Sequence, residues 1–391
     1  MFLKLNVRLS FLCYNMFEKE VRSMAKVIVG MSGGVDSSVA AILLMNQGYE
    51  VEGLYMRNWD SFANGEVSDA PVGKTGICPQ EEDYNDAKAV CDKLGIPLHR
   101  KDFVKEYYDY VFQYFLDELK KGRTPNPDIM CNRYIKFDMF SEEARKLGAD
   151  YIATGHYCRL EDGKFLRAVD DNKDQSYFLS QVKKEQFQNV LFPIGGLTKP
   201  EVRKIAEEYD LITAKKKDST GICFIGERNL TKFLQNYLPN TPGDIVNIDT
   251  KEVIGKHIGL MYYTIGQRRG LNIGGTEERM FVVGKDLNQN ILYICVGEDN
   301  DYLVSDSCIV EDVNDLGLNQ IKNCTAKFRY RQKDVPVELE YLEDQRILVK
   351  YPQGVKRVTP GQACVFYNGE QCLGGGIIQE VRKHNEKLWY L

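Results

Sequence analysis

One short segment has the composition of a phosphate-binding loop. The β-branched residues 27–29 predict a buried parallel strand, and the apolar run at residues 39–45 predicts a helix. Between them lies a loop of small residues that contains Asp36. A strand that leads through a glycine loop into a helix N-terminus directs backbone N–H groups and the positive end of the helix dipole at one point. We therefore expect this loop to bind phosphate.

The loop lacks the Lys-Ser/Thr pair that closes a Walker A loop. It resembles instead the Ser-Gly-Gly-x-Asp-Ser loop of the ATP pyrophosphatases (the PP-loop family), which cleave ATP to AMP and pyrophosphate while adenylating a substrate oxygen. For a glycine turn alone, a tight strand–helix connection without a ligand is the alternative. The resemblance implies that ATP binds to Gly30, Met31, Ser32, Gly33, Gly34, Val35, Asp36 and Ser37.

A cysteine follows two prolines in residues 124–132. We expect Pro125 and Pro127 to prevent a helix until after Cys131, so that the thiol lies in a rigid, polar loop. Asp128 could share a substrate with this thiol and transfer protons, although its charge alone would raise the thiol pKa. A half-buried cysteine without chemistry is the alternative.

A second cysteine, Cys223, follows a glycine turn and the lysine run at residues 215–217. Lysines favour a thiolate and anionic sulfur, but they could equally form a solvated face beside a buried thiol. The 11 cysteines include no Cys-x-x-Cys pair and only 4 histidines are present, which argues against a structural zinc site. We expect reduced thiols in a cytoplasmic protein, with a mitochondrial location as the alternative.

Strands and helices alternate over about 200 residues and predict an α/β domain with a doubly wound, mainly parallel sheet. Ligands of such sheets bind at the carboxyl ends of the strands, so Met56 and Gly155 should share one crevice with the ATP loop. Residues 58–82 are polar and interrupted by glycine and proline, which predicts a surface insertion in which Cys78 has no role.

From about residue 229, strand-like runs and turns replace the helices. Asn368 and Gly369 lie between two apolar runs and predict a β-hairpin. We predict an ATP-binding catalytic domain at 24–228, a linking domain at 229–300 and a C-terminal β-barrel at 301–391. Residues 1–23 form a leader of doubtful role, either a misassigned start or an organellar leader.

The amino-acid composition limits the classes of protein to which this chain can belong. The chain has 391 residues, of which 43% are hydrophobic and 27% charged, as is ordinary for a globular protein. No apolar run approaches the ~20 residues of a membrane span. The net charge of -5 argues against a uniformly basic nucleic-acid binder but leaves room for local basic patches.

The segments together resemble the tRNA-specific 2-thiouridylase (MnmA) family of ATP pyrophosphatases from residue 24 to about residue 380. The matching segments are residues 30–37, 126–131, 154–157, 173–176, 219–223, 328–331 and 359–362. Several unusual segments in one order are far more specific than any single motif.

The resemblance implies ATP-dependent 2-thiolation of the wobble uridine in tRNA anticodons, with Mg²⁺ near Asp36. The base would be flipped out and its C2 oxygen adenylated. Cys223 would carry a persulfide from a donor protein, a cysteine desulfurase or a sulfur carrier. Cys131 would be the second thiol. Either the terminal sulfur of the persulfide attacks C2 and Cys131 then attacks the remaining S–S bond, or Cys131 first releases hydrosulfide; both routes end in a Cys131–Cys223 disulfide.

Further site residues are carried over by the same resemblance. Asn126, Pro127 and Asp128 would hold the target base, with Asp128 as its acid/base partner. Arg329 and Arg331 lie two apart on a predicted strand, which suits phosphate contacts, with a charged outer barrel face as the alternative. Contacts with tRNA are implied for His156, Lys173, Asp174, Gln175, Arg329, Tyr330 and Gln362.

Two rival functions fit parts of the pattern. A small-metabolite ATP pyrophosphatase ligase, of the GMP or argininosuccinate synthetase type, would need neither the thiol pair nor an RNA-binding barrel. A non-catalytic RNA-binding protein would keep the ATP loop only as a scaffold.

Overall fold

The computed structural model describes residues 25–60, 78–218, 229–271, 273–274 and 278–391. The predicted leader, most of the predicted insertion and Cys223 lie outside the described residues. Among the helices in these ranges, none is long and apolar enough to cross a membrane.

A five-stranded parallel sheet is the centre of the N-terminal region, with strand order β3-β2-β1-β4-β7. The central strand can be buried on both faces because its residues Val27, Ile28 and Val29 are all apolar and 0% exposed. The strands are β1 Lys26–Gly30, β2 Glu50–Arg57, β3 Leu98–Asp102, β4 Tyr151–Ala153, β5 Cys158–Glu161, β6 Lys164–Arg167 and β7 Val190–Leu191.

Helices cover both faces of this sheet. Ile28 belongs to one apolar cluster, whereas Val27 and Val29 belong to another, because successive side chains of a strand point to opposite faces. The predicted doubly wound α/β class is therefore confirmed. The helices are α1 Val35–Asn46, α2 Pro79–Leu94, α3 with the consecutive segments Val104–Tyr107, Tyr108–Phe112 and Gln113–Lys120, α4 with Pro127–Met130, Cys131–Met139 and Phe140–Lys146, α5 Lys199–Glu208 and α6 Leu230–Leu234.

Two predicted helix boundaries were wrong. Helix α4 begins at Pro127 and not after Cys131, because proline at the first helical position lacks an N–H group that would have no helical partner there anyway. The side chain of Asn126 caps this helix by accepting the N–H of Asp128 at 3.1 Å. Helix α2 begins at Pro79, inside the predicted insertion.

The C-terminal half consists of two β structures, as predicted. A four-stranded sheet has the order β10-β11-β8-β9, and a six-stranded antiparallel barrel closes because β12 pairs with both β15 and β17. The predicted hairpin is confirmed, since β16 and β17 pair across Gly369 at φ +57°. The strands are β8 Gly243–Asn247, β9 Val253–His257, β10 Met280–Asp286, β11 Ile291–Val296, β12 Val304–Asp315, β13 Asn323–Lys327, β14 Val335–Tyr341, β15 Ile347–Lys356, β16 Ala363–Asn368, β17 Gln371–Lys383 and β18 Glu386–Lys387.

The barrel supports the segment that leads into helix α4. The N–H of Thr124 donates to the carbonyl of Pro360 at 2.9 Å, and the side-chain amide of Gln362 donates to the carbonyl of Thr124 at 2.6 Å. Strand β17 also pairs with β6, which extends the barrel sheet onto the N-terminal region. The position of α4 therefore depends on the barrel.

A buried lysine lies where the four-stranded sheet meets the N-terminal region. The ammonium of Lys285 in β10 donates to the carbonyl of Gly122 at 2.9 Å, and the residue is 8% exposed. Burial lowers the pKa of Lys285 from its ordinary value to about 7. The charge is therefore tolerated in the folded protein only at neutral pH and below.

We expect this lysine to make stability depend on pH. An unfolded lysine keeps its proton to about pH 10.4, so between pH 7 and 10 the unfolded state binds more protons and stability rises with pH. Relative to Lys285→Met, the wild-type free energy of unfolding should rise by up to about 1.4 kcal/mol per pH unit, measured by urea denaturation. Lys256→Met removes an exposed lysine of the same sheet and is the control. If the difference in the free energy of unfolding between the wild type and Lys285→Met stayed constant from pH 7 to pH 10, the prediction would be contradicted.

Candidate nucleotide and sulfur-transfer site

The loop after β1 is closed by serine side chains. The N–H of Ser32 donates to Oγ of Ser37 at 3.2 Å, and Ser37 and Ser38 donate from Oγ to the carbonyl of Gly34 at 3.2 and 2.8 Å. Ser32 is exposed at the rim, whereas Ser37 and Ser38 are buried. These bonds fix the N-terminus of α1, where N–H groups without helical partners can bind an anion.

Two glycines of the site approach the backbone of other elements closely. Gly33 has φ +71°, and a Cβ atom there would lie 2.1 Å from the carbonyl oxygen of Asp83 in α2. A Cβ atom on Gly155, which follows β4, would lie 2.7 Å from the backbone nitrogen of Ser37. Both positions therefore require glycine for a steric reason.

Met56 and Gly155 lie at the same edge of the sheet as the loop. Strands β1, β2 and β4 are parallel and adjacent, so their carboxyl ends are neighbours. Met56 is half-buried near the end of β2, and the N–H of Met31 donates to the carbonyl of Leu54 at 3.0 Å. This arrangement is compatible with the predicted ATP contacts.

Asp36 is held by partners from two other elements. Lys199, in the first turn of α5, donates from Nζ to the two carboxylate oxygens at 2.7 and 2.9 Å. The hydroxyl of Tyr157 donates to Oδ1 of Asp36 at 2.8 Å. Burial, followed by the charge of Asp36, raises the pKa of Tyr157, so the hydroxyl remains a donor. The carboxylate is therefore fixed beside the loop.

Lys216 binds the other side of the loop. Its ammonium donates to the carbonyl of Gly33 at 2.9 Å and to the carboxylates of Asp83 and Asp86 at 2.7 and 2.5 Å. Burial alone would lower the pKa of Lys216, but the two carboxylates raise it on balance. The predicted lysine run thus contributes one lysine to the ATP loop, a role that its sequence pattern did not indicate.

Helix α4 approaches the carboxyl ends of β1 and β4, next to the start of the loop. A Cβ atom on Gly30 would lie 3.5 Å from Cζ of Phe140, and Nζ of Lys136 lies 3.4 Å from Nε2 of His156. Cys131, on the same helix, is 1% exposed among apolar side chains. The prediction that this thiol lies in a polar loop was wrong, because the helix starts before it and turns it towards the core.

The predicted base-binding residues form the start of α4. Asp128 is half-buried and lies three positions before Cys131, a spacing that places both side chains on one side of a helix. Pro127 is buried, and Asn126 uses its side-chain oxygen as the helix cap. Cys223 lies outside the described residues, so the predicted approach of the two thiols stays a prediction.

Several predicted tRNA contacts have partners within the protein. Asp174 is 4% exposed and accepts from the N–H and the hydroxyl of Ser176 at 3.1 and 2.9 Å. Gln175 accepts the N–H of Tyr157 at 2.9 Å. These side chains shape the segment after β6, and their contact with tRNA stays a prediction.

His156 is buried with 8% exposure. Its Nδ1 lies 2.8 Å from the hydroxyl of Thr154, and burial, with a smaller effect of the Lys136 charge, holds its pKa well below the ordinary value. The imidazole is therefore neutral at pH 7.

The ring of Tyr330 packs against the ring of Phe178, with 4.3 Å between the two ring centroids.

Arg329 and Arg331 do not lie on a strand, because β13 ends at Lys327. The guanidinium of Arg329 donates to the carbonyls of Ile265 and Arg357, each at 2.8 Å. It therefore joins the barrel to the preceding sheet, whereas Arg331 is exposed. The prediction that both arginines share one strand face was wrong.

Sequence reasoning missed the cations and acids that surround the loop. The residues Thr198-Lys199-Pro200-Glu201 have the sequence pattern of a capping box, which the structure confirms through the contact of Thr198 with Glu201, but this pattern assigns Lys199 no role at the loop. Tyr157 and Asp218 had no recognised role. Tyr157 binds Asp36, which lies more than 100 residues away, and Asp218 binds Lys199 on another element. No local sequence pattern could therefore have indicated these contacts.

Comparisons with known proteins agree on one family. Residues 25–227 match the family model described as tRNA methyl transferase HUP domain, residues 231–296 its PRC-barrel domain, and residues 305–378 an aminomethyltransferase beta-barrel domain. The tRNA-specific 2-thiouridylase MnmA of Mesoplasma florum is 59% identical over 91% of this chain and 99% of its own length. The chain belongs to the MnmA family.

Other MnmA relatives are similar at comparable levels. The protein of Mycoplasma capricolum subsp. capricolum is 56% identical over 92% of this chain, and that of Lysinibacillus sphaericus 55% over 95%, with 99% and 100% of their own lengths covered. A solved 4-thiouridine synthetase–RNA complex with bound ATP aligns with a TM-score of only 0.33 at 15% identity, over 54% of this chain and 50% of its own. Membership of the MnmA family therefore rests on sequence identity.

A pair of glycine substitutions tests the close approach at the ATP loop. Gly33→Ala should lower both ATP affinity and the free energy of unfolding, because the new Cβ would collide with the backbone at Asp83. Gly163→Ala is the control, since Gly163 has φ +70° with nothing within 4 Å, and should cost only the ~1–2 kcal/mol of left-handed backbone. ATP binding by calorimetry and urea denaturation measure the two effects. Equal results for both variants would contradict a steric requirement.

Proposed function

We propose that this protein is an ATP-dependent tRNA-uridine 2-sulfurtransferase that thiolates the wobble uridine of tRNA anticodons. The observation that carries the proposal is the position of helix α4, which carries Asp128 and Cys131 and places Phe140 beside Gly30, where the PP-loop begins at the carboxyl edge of a parallel sheet. Near-full-length identity to curated 2-thiouridylases supports the same reaction.

ATP activates the base before sulfur arrives. The C2 oxygen of the uridine attacks the α-phosphate, and pyrophosphate leaves. The N-terminus of α1 and its loop N–H groups bind the phosphates, and Asp128 accepts or returns a proton at the base. Adenylation converts a poor leaving group into AMP, which sulfur can then displace.

The residues near the loop fit a magnesium ion that is held mainly by ATP phosphates. Mg²⁺ commonly binds one or two carboxylates together with substrate phosphates and water. Asp36 offers one carboxylate beside the loop, and its oxygens already accept hydrogen bonds from Lys199 and Tyr157. Within the described ranges, no group of three His, Cys, Asp or Glu residues is arranged to hold a metal ion. When bound, the ion would neutralise phosphate charge.

Two cysteines carry out the sulfur transfer. The terminal sulfur of a persulfide on Cys223 forms a bond to C2 as AMP leaves, and Cys131 attacks the remaining S–S bond. The sulfur stays on the base and a Cys131–Cys223 disulfide forms. A persulfide-donating protein reloads Cys223 after a reductant restores both thiols, as the reducing cytoplasm allows.

The reaction is tested with purified protein, ATP, Mg²⁺, unmodified tRNA and a cysteine desulfurase with cysteine as the persulfide donor, without added free sulfide. Thiolated tRNA should migrate more slowly in a mercury-containing gel. Cys131→Ser and Cys223→Ser should each abolish thiolation, because each removes a sulfur of the proposed exchange, while ATP binding persists.

Cys295→Ser is the matched control. Cys295 is a buried thiol of the four-stranded sheet with 0% exposure, so its substitution tests the general effect of a buried serine. Normal thiolation by both Cys131→Ser and Cys223→Ser would refute the two-cysteine mechanism. Pyrophosphate release that needs a metabolite instead of tRNA would favour the rival ligase function.

A further inference from the structure

A single carboxylate receives three cations immediately before the Cys223 segment. Lys173 and Lys199 contact Asp218 from Nζ at 2.5 and 2.8 Å, and Arg203 contacts it from its guanidinium at 3.0 Å. Burial alone would raise the pKa of Asp218, but its bonds to the two lysines lower it on balance. Asp218 is therefore ionised at neutral pH.

One of these cations also holds the ATP loop. The ammonium of Lys199 binds Asp36 as well as Asp218, and the Lys199 side chain is only 10% exposed. A half-exposed ion pair contributes little to the free energy of unfolding. A buried ammonium that two carboxylates share nevertheless fixes the positions of both carboxylates. The carboxylates of Asp218 and Asp36 are thus joined through a single atom, Nζ of Lys199.

The chain just before Asp218 is tied down in the same way. Arg203 donates to the carbonyl of Ala214 at 2.8 Å and to that of Lys216 at 3.1 Å. Lys216 in turn donates to the carbonyl of Gly33 in the ATP loop. Residues 214–218 are therefore attached to the loop directly through Lys216 and indirectly through Lys199. Arg203 attaches them to α5.

We propose that Asp218 is a positioning residue for sulfur transfer, which anchors the start of the Cys223 segment to the ATP loop through Lys199. This inference rests on the proposed function. Cys223 follows Asp218 by five residues in the chain, so the anchor fixes the point at which the segment that carries this thiol begins. Lys199 and Arg203 support the anchor.

The anchor matters because water competes with sulfur. Attack by water on the adenylated base releases AMP and returns the unmodified uridine, so pyrophosphate is lost without sulfur incorporation. A misplaced reacting group can slow a step by about 100-fold. Loosening Asp218 should therefore slow sulfur transfer while adenylation continues.

The test measures pyrophosphate released per thiolated uridine in the full-length protein. Asp218→Asn should lower thiolation by about 10- to 100-fold and raise this ratio, while ATP still binds because Lys199 keeps its contact with Asp36. Asp218→Glu keeps the charge and should restore most of the coupling. Arg203→Met, which removes a different partner of the anchor, should shift the ratio in the same direction.

Asp210→Asn is the matched control, because the Asp210 side chain is 99% exposed and pairs with Lys93. An unchanged ratio in Asp218→Asn would overturn the inference. Loss of ATP binding in that variant would overturn it as well, since Asp218 would then serve the nucleotide and not the sulfur. Absence of thiolation by the wild-type protein would instead refute the proposed function.

Discussion

The ammonium of Lys199 is the contact on which the site depends. It lies between the carboxylates of Asp36 and Asp218, which belong to segments 182 residues apart in the chain (218 − 36). Removing charged groups from water is costly, and such a cluster persists only when its hydrogen bonds are satisfied. Tyr157, Lys173 and Arg203 supply those bonds. The cluster thereby defines one relative position for the ATP loop and the chain that leads to Cys223.

The second constraint is the support of helix α4 from two sides. Its C-terminal half places Phe140 beside Gly30, where the ATP loop begins, and the segment before it is bonded to the barrel through Thr124. Gln181 extends the contact, because its side chain accepts from Arg133 in α4 and donates to the barrel carbonyl of Gly375. Through these bonds the barrel holds the helix that carries Cys131.

The sequence predicted the parts that local chemistry specifies. The glycine–serine loop, the apolar strand before it, the capping box of α5 and the Asn368-Gly369 hairpin were all recognised from residues close in the chain. The prolines at 125 and 127 were misinterpreted, because a proline that blocks a helix interior also favours its first turn. The hydrogen bond from the N–H of Asp128 to the side chain of Asn126 distinguishes a proline that starts a helix from one that blocks it.

The sequence by itself determined the fold class, the glycine–serine loop after β1 and the family to which the chain belongs. These follow from periodicity and from motifs whose residues are contiguous, so short segments contain the information. Tertiary structure alone decided that Lys199 and Lys216 serve the ATP loop, that Arg329 joins two β structures, and that Cys131 lies buried in a helix. These roles depend on partners far apart in the chain, and the folded sheet brings them within hydrogen-bonding distance.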